Sequence, residues 1–129
     1  ALLKFNETST EVEYSGANRP LILIRNKSII EYKADKLAIA GFTANDQQFT
    51  STKIALQKDD ALFIFTDGYA DQFGGDTGKK FMSKNLKDLL VSISHLPCKE
   101  QEEKIATAFM DWKKTYEQVD DVLMIGIKI

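Results

Sequence analysis

The segment ALFIF at residues 61–65 constrains the fold more than any other part of the chain, because all five of its side chains are apolar. A strand with one face in water alternates apolar and polar residues, whereas a strand that is apolar on both faces must be covered on both sides. We therefore predict a central strand here, with a packed layer on each face. The strand ends in Thr66, Asp67 and Gly68, and a second carboxylate follows at Asp71. Folding alone does not require such an ending, so these residues are candidates for a functional site.

The preceding half of the chain also has the pattern of β-strands. Val12 and Tyr14 alternate with Glu11 and Glu13, which is the period of two that a half-buried strand shows. We predict three hairpins, which pair residues 1–5 with 10–15, residues 21–25 with 28–33, and residues 49–56 with 61–66. The turn of the third hairpin is assigned to the polar run QKDD, which contains Asp59 and Asp60.

From residue 83 onward, the apolar residues recur at helical spacing. Ser83 is a suitable N-cap, and Pro97 closes the first helical segment. The apolar positions are Leu86, Leu89, Leu90 and Ile93 in this helix, and Ile105, Phe109, Trp112 and Tyr116 in a second helix between about residues 97 and 117. The run VLMIGIKI at residues 122–129 predicts a final strand. Strands followed by helices favour an α+β fold, with antiparallel sheets and a helix pair packed on one face of a sheet.

Composition excludes several functional classes. The 129 residues include 17 Lys and Arg against 19 Asp and Glu, so the chain lacks the basic excess that binding to nucleic acid requires. One cysteine, Cys98, cannot form an internal disulfide, and we expect a cytoplasmic protein. No segment approaches the roughly 20 apolar residues of a membrane span. The sequence begins at ALLKF without a methionine, as an excised piece of a longer chain would.

Acidic residues stand at the ends of two predicted strands. Asp67 follows the central strand, while Asp120 and Asp121 precede the last one. If these strands pair antiparallel, their carboxylates meet at one end of a sheet, where two charges about 4 Å apart repel by roughly 4 kcal/mol at an effective dielectric constant near 20. Such a pair implies a cation, and a site with only carboxylate oxygens suits Mg²⁺ or Mn²⁺. Gly68 leaves room there for a sharp turn and for a close approach by metal or ligand.

A structural explanation competes with the metal site. Asp-Gly is among the commonest turn dipeptides, and two aspartates before a strand are equally ordinary. A structural or ligand-binding α+β domain with unrelated acidic turns therefore stays open. It would be favoured if Asp67 and Asp120 lay more than about 8 Å apart, since ligands of one such ion lie about 2.0 to 2.2 Å from it.

Three stretches, in this order, together carry a resemblance to a known family: YSGANRPLILI, FTDGYADQFGG and VDDVLMIGI. They resemble the SpoIIE/RsbU-type bacterial serine phosphatases, which are PP2C-like, metal-dependent protein phosphatases. The resemblance implies an α-β-β-α sandwich whose two antiparallel sheets hold a dinuclear Mn²⁺ or Mg²⁺ centre. It further implies hydrolysis of phosphoserine or phosphothreonine by metal-activated water.

The resemblance assigns roles to individual residues. Asp67 matches the aspartate of the family's Ser/Thr-Asp-Gly motif and Asp120 the first acid of its Asp-Asp or Asp-Asn motif, so both would be catalytic metal ligands. Gly68 and Asp121 would lie in the outer shell or on the substrate side. Asp71 would act there too, where relatives usually have glutamate.

The first stretch departs from its relatives. Many of them carry Ala-Gly-His-Asn-Pro where this chain has SGANRP at residues 15–20, so the histidine of that motif is absent. Asn18 is the residue of this stretch to which we assign an outer-shell or substrate role.

The family's N-terminal Gly-Asp motif, whose aspartate bridges the two metals, has no counterpart in this sequence. We therefore expect residues 1–129 to be the C-terminal portion of a phosphatase domain, inactive in isolation. We expect exposed sheet edges to favour a homodimer. A catalytically inactive, phosphatase-like binding or regulatory module is the alternative.

By resemblance, the substrate would be a phosphorylated regulatory protein of the anti-sigma-factor-antagonist type. The parent chain would carry an upstream sensor domain and could be tethered to a membrane.

Overall fold

The computed structural model describes residues 1–8, 10–40 and 46–129. Strands and helices follow one another in a mixed order. They are β1 (Leu2–Phe5), β2 (Glu11–Ser15), β3 (Leu21–Arg25), β4 (Ser28–Tyr32), β5 (Thr52–Ala55), β6 (Ala61–Phe65), α1 (Gly68–Asp71), β7 (Phe73–Gly74), β8 (Lys79–Lys80), α2 (Ser83–Ile93), α3 (Cys98–Lys113) and β9 (Met124–Lys128). Of the described residues, no helix is long and apolar enough to cross a membrane.

Two antiparallel sheets form the body of the protein. One has three strands in the order β1-β2-β5, and the other has four in the order β4-β3-β6-β9. The predicted hairpins β1-β2 and β3-β4 are present, and β6 is a central strand as its composition predicted. The predicted α+β class is confirmed.

The third predicted hairpin is wrong. β5 pairs with β2, so that Val12 lies opposite Ile54, whereas β6 pairs with β3 and β9 in the other sheet. Residues 56–60 therefore cross from one sheet to the other. Two strands joined by a short polar segment look like a hairpin in sequence, but here each strand buries its apolar side chains by pairing elsewhere.

A buried ion pair fixes this crossing. Asp60 is fully buried, and its two carboxylate oxygens accept hydrogen bonds from Nε (2.9 Å) and Nη2 (2.6 Å) of Arg25. Nη2 of Arg25 also donates to the carbonyl of Ala55 (2.8 Å), and the N–H of Gln57 donates to Asp60 (2.8 Å). One guanidinium thus joins the end of β3 to the end of β5 and the start of β6.

The hydrophobic core has two parts, one on each face of the four-stranded sheet. Leu23 and Leu62 pack with Val12 and Ile54 between the two sheets. On the other face, Phe63 packs with buried residues of the helices, which include Leu86, Leu90 and Phe109. The layers are therefore helices, four-stranded sheet and three-stranded sheet, with β6 shared between both parts of the core.

Helices α2 and α3 lie where the apolar spacing predicted them, although α3 ends at Lys113, before Tyr116. The four-residue α1 and the two-residue strands β7 and β8 were not predicted. Strand β9 is an edge of its sheet, and an open cleft of about 720 Å³ separates it from α3. Ile125, which lines this cleft, and the nearby Leu123 are about half exposed.

Candidate functional site

The end of β6 lies beside the start of β9, as the sequence predicted. Phe65 is opposite Met124 in the antiparallel register, and the N–H of Thr66 donates to the carbonyl of Leu123 (3.0 Å). The Thr-Asp-Gly segment and the Asp120-Asp121 segment are consequently neighbours at one end of the sheet.

The hydroxyl of Thr66 joins the two acidic segments directly. It donates to the backbone carbonyl of Asp121 (2.7 Å) and accepts the N–H of Leu123 (3.0 Å). Thr66 was not among the predicted site residues, although its position directly before Asp67 in the family motif was the signal that could have indicated it. Its two hydrogen bonds fix the approach of the second acidic segment to the first.

Gly68 makes this approach sterically feasible. A Cβ atom at this position would lie 2.4 Å from the carbonyl oxygen of Asp121 and 3.2 Å from that of Asp120. The close approach expected at this glycine is therefore made by the backbone of the other acidic segment. Any larger residue at position 68 would push the two segments apart.

The carboxylate of Asp67 has a cationic partner. Nη2 of Arg19, from the loop between β2 and β3, donates to Oδ2 of Asp67, and both side chains are partly exposed. Arg19 was not among the site residues predicted from the sequence. It was noted only as part of the segment SGANRP, which differs from the motif of many relatives. The contact is between residues 48 positions apart and could not be read from local spacing.

Asp120 and Asp121 lie in the exposed segment before β9. Oδ1 of Asp120 accepts the N–H of Asp121 (2.8 Å), and Nε2 of Gln118 donates to the carbonyl of Asp120 (3.0 Å). These local bonds hold the segment in a turn that leaves the Asp120 side chain at the surface.

Asp71 lies one helical turn beyond Asp67, because its N–H donates to the carbonyl of Asp67 (2.9 Å) across α1. Its carboxylate forms an ion pair with Nζ of Lys80 (3.2 Å), on the small β7-β8 hairpin. Asp71 thus joins α1 to this hairpin at the edge of the site.

Tyr69 anchors α1 to the helical layer. It is buried, and its hydroxyl donates to the carbonyl of Ile105 in α3 (2.9 Å). Its ring lies 5.1 Å from that of Phe81 and 5.0 Å from that of Phe109, measured between centroids. Burial raises the pKa of the Tyr69 hydroxyl to about 12. The backbone that carries Asp67 and Gly68 is therefore held from behind by a packed aromatic side chain.

Asn18 is on the same loop as Arg19. It is exposed, has a left-handed backbone conformation (φ 58°), and donates its side-chain amide to the carbonyl of Leu37 (3.1 Å). This bond gives Asn18 a part in the shape of the loop, and its substrate role stays a prediction.

The donor chemistry of the site fits a hard divalent cation. Asp67 and Asp120 offer carboxylate oxygens, the ligands that Mg²⁺ and Mn²⁺ prefer. Within the described ranges, no three acidic, histidine or cysteine side chains lie close enough together to hold an ion. The role of Asp67 and Asp120 as metal ligands therefore stays a prediction.

Comparison with known proteins identifies the family. The model of the family "Stage II sporulation protein E (SpoIIE)" matches residues 1–129. The comparison with curated protein sequences gave no significant match.

Solved structures share the fold. The SiaA-PP2C domain of Pseudomonas aeruginosa superimposes with a TM-score of 0.84 at 23% identity, over 93% of this chain and 47% of that one. The RsbU and RsbW domains of a Mycobacterium tuberculosis protein give a TM-score of 0.71 at 20% identity, over 96% and 34%. The Mn-presoaked phosphatase domain of SpoIIE from Bacillus subtilis gives 0.69 at 13% identity, over 99% and 55%.

The chain therefore spans about half the length, or less, of the solved structures that it matches. At these identities, the likeness shows the fold, which is that of a PP2C phosphatase domain. Because the family model matches the whole of the sequence, the chain belongs to the SpoIIE family, whose phosphatase domains are PP2C-like.

Proposed function

We propose that this chain is part of a metal-dependent protein serine/threonine phosphatase domain in which Asp67 and Asp120 bind Mn²⁺ or Mg²⁺. The observation that carries the proposal is a pair of hydrogen bonds that join the two acidic segments: the hydroxyl of Thr66 donates to the carbonyl of Asp121 and accepts the N–H of Leu123. A structural turn would not require both aspartate segments to be fixed together at one end of neighbouring strands.

Each residue then has a defined task. The bound ions would supply a water nucleophile near neutral pH and would clamp the phosphate oxygens. Asp67 and Asp120 hold the cations through their carboxylates, and Thr66 keeps the two segments in register. We assign outer-shell or substrate-side roles to Gly68, Asp71, Asp121 and Asn18. Gly68 acts by admitting the backbone of the second segment.

We further propose that the chain is the C-terminal portion of its domain and that the remaining ligands come from the rest of the parent protein. Its coverage of about half of the related phosphatase domains supports this reading. Two aspartates hold a divalent ion only loosely, because Mg²⁺ and Mn²⁺ keep most of their water until several carboxylates or phosphates replace it. The chain alone should therefore hydrolyse phosphate esters at background rates.

The resemblance to the family supports a proposal for the substrate class. We propose a phosphoserine or phosphothreonine on a small regulatory protein, of the anti-sigma-factor-antagonist type. A sensor domain upstream in a cytoplasmic or membrane-tethered parent would control the reaction.

The alternative is a catalytically inactive phosphatase-like module that binds a partner. The ion pair between Arg19 and Asp67 favours it, because Asp67 then has a counterion within the chain itself. The parent protein discriminates between the two: Mn²⁺-dependent turnover of a phosphoserine peptide supports the enzyme, and binding of that peptide without turnover supports the module.

Metal binding by the chain itself tests the ligand assignment. Free Mn²⁺ can be counted by its electron paramagnetic resonance signal during titration of wild type, Asp67→Asn, Asp120→Asn and the double variant. Asp111, an exposed residue of α3, provides the matched control Asp111→Asn.

We expect each site variant to weaken Mn²⁺ binding and the control to leave it unchanged. If both residues bind the same ion, the double variant loses less than the sum of the two single losses. Equal Mn²⁺ affinity in wild type and both single variants would contradict the metal site.

A further inference from the structure

The backbone of Arg19 is held by hydrogen bonds on both of its polar groups. Its carbonyl accepts the hydroxyl of the buried Tyr14 (2.8 Å), and its N–H donates to the carbonyl of Ala17 (2.7 Å). Pro20 follows it and restricts the backbone further. The backbone of Arg19 is therefore fixed close to Asp67, and the side chain reaches the carboxylate from there.

The contact with Asp67 and a bound metal ion compete for the same carboxylate. A guanidinium and a divalent cation that approach one carboxylate repel each other, and both are attracted by the same negative charge. Binding of the ion would weaken or break the contact between Arg19 and Asp67. The guanidinium would then be left beside the site with unused N–H donors.

A small pocket shows where those donors could be used. A pocket of about 100 Å³ lies next to Asp67, and its lining includes Arg19, Lys87 and Thr66. Two cationic side chains line this pocket. Nζ of Lys87 is paired with Glu31 (2.6 Å), whereas Arg19 contacts Asp67. Planar guanidinium groups bind phosphate oxygens through two parallel N–H bonds, which a released Arg19 could supply.

We propose that Arg19 is an exchangeable counterion of the site. It neutralises Asp67 while no divalent ion is bound, and it binds the phosphoryl group of the substrate once an ion has replaced it on Asp67. This inference rests on the proposed function, because it requires Asp67 to be a metal ligand. It predicts opposite changes in metal affinity and phosphate affinity when Arg19 is replaced.

The first measurement is Mn²⁺ affinity, from the paramagnetic resonance of the free ion. Arg19→Gln removes both the competing contact and a repelling charge, so the affinity should rise on the order of three- to tenfold. Lys87→Gln is the matched control, since it removes one positive charge from the same pocket but no contact with Asp67. It should raise the affinity by less than twofold.

The second measurement is the affinity for inorganic phosphate in the presence of saturating Mg²⁺, by titration calorimetry. Arg19→Gln should weaken phosphate binding at least fivefold, whereas Arg19→Lys should lose less because it keeps the charge without the planar pair of donors. A purely structural role for Arg19 would lower both affinities together or neither. Either of those results overturns the exchange, as does a rise in metal affinity with unchanged phosphate affinity.

Asp67→Asn separates failure of this inference from failure of the proposed function. If that variant weakens Mn²⁺ binding but Arg19→Gln changes nothing, the metal site stands and the role of Arg19 is refuted. If Asp67→Asn leaves Mn²⁺ binding unchanged, the proposed function fails, and the exchange fails with it.

Discussion

Replacing Asp60 by asparagine should destabilise the protein far more than its position in a polar loop suggests. The carboxylate of Asp60 accepts two hydrogen bonds from Arg25 and one from the N–H of Gln57. The substitution keeps the size of this side chain but removes its negative charge. The Asp60 side chain is 1% exposed and that of Arg25 is 23% exposed, so water can reach the orphaned guanidinium only in part.

The burial of this ion pair sets the expected loss in the free energy of unfolding. Removing one partner of a buried ion pair costs about 3–5 kcal/mol, and the partial exposure of Arg25 places the expected loss near the lower figure, about 3 kcal/mol. Total stability for a chain of this length is about 6–19 kcal/mol at the usual free energy per residue. The variant should therefore lose a sixth to a half of its free energy of unfolding.

Urea unfolding measures this loss, followed by the fluorescence of Trp112, the only tryptophan in the sequence, and by circular dichroism. With a urea dependence of about 2 kcal/mol per molar, the midpoint should fall by about 1.5 M. The exposed pair Lys53–Glu11, at 3.8 Å, gives the control: Glu11→Gln should cost no more than about 0.5 kcal/mol. A loss below about 1 kcal/mol in Asp60→Asn would refute the structural role of the pair.

The same pair predicts a pH dependence. Burial alone would raise the pKa of Asp60, but hydrogen bonds from Arg25 and Gln57 and the charge of Arg25 together hold that pKa below its usual 3.8. A carboxyl group whose pKa is lower in the folded state stabilises above its unfolded pKa and loses this contribution as the pH falls through the folded pKa. The difference in stability between wild type and Asp60→Asn should thus be constant at neutral pH and shrink below about pH 4.

Three further substitutions test other parts of the molecule. Gly68→Ala should cost about 1–3 kcal/mol and weaken Mn²⁺ binding, because its Cβ would collide with the carbonyl of Asp121; unchanged affinity would show that the spacing of the two segments is not critical. Tyr69→Phe should cost about 1 kcal/mol at pH 7 by leaving the carbonyl of Ile105 without its donor. Because the pKa of Tyr69 is raised to about 12 in the folded state, the free energy of unfolding of wild type should also fall above about pH 10. Unfolding curves at alkaline pH should show a smaller fall in Tyr69→Phe. We expect the chain to form a homodimer through the edge strand β9, and Ile125→Lys should make it monomeric by light scattering; a monomeric wild type at high concentration would contradict the dimer.

The sequence predicted those parts of the fold that depend on local pattern. The alternation of Val12 and Tyr14 predicted β2, and the apolar run at residues 61–65 predicted the central strand. The antiparallel pairing of this strand with the last one is also confirmed. Each of these features depends on which side chains are apolar enough to be buried. The spacing of apolar residues along the sequence shows this directly.

Features that depend on distant contacts were not predictable in the same way. The segment around Asp60 has the composition of a turn, and only its bond to Arg25 reveals that it crosses between sheets. The contact between Arg19 and Asp67 likewise depends on how two loops meet in the folded chain. The assignment of Asp67 and Asp120 as metal ligands stays a prediction.

The position of β6 between two layers has a consequence for local opening of the molecule. Its neighbours β3 and β9 bond to its backbone, and its side chains belong to both parts of the core, so the amides that it bonds to β3 should exchange with solvent only when the whole domain unfolds. Strand β9 is bonded on one side alone among the described residues, and its amides can exchange by fraying from the edge. Asp67 therefore follows a central strand, whose opening should be slow, and Asp120 precedes an edge strand, whose opening should be faster. We therefore expect opening of the acidic site to begin on the Asp120 side, with loss of the two hydrogen bonds at Thr66, while the core stays folded.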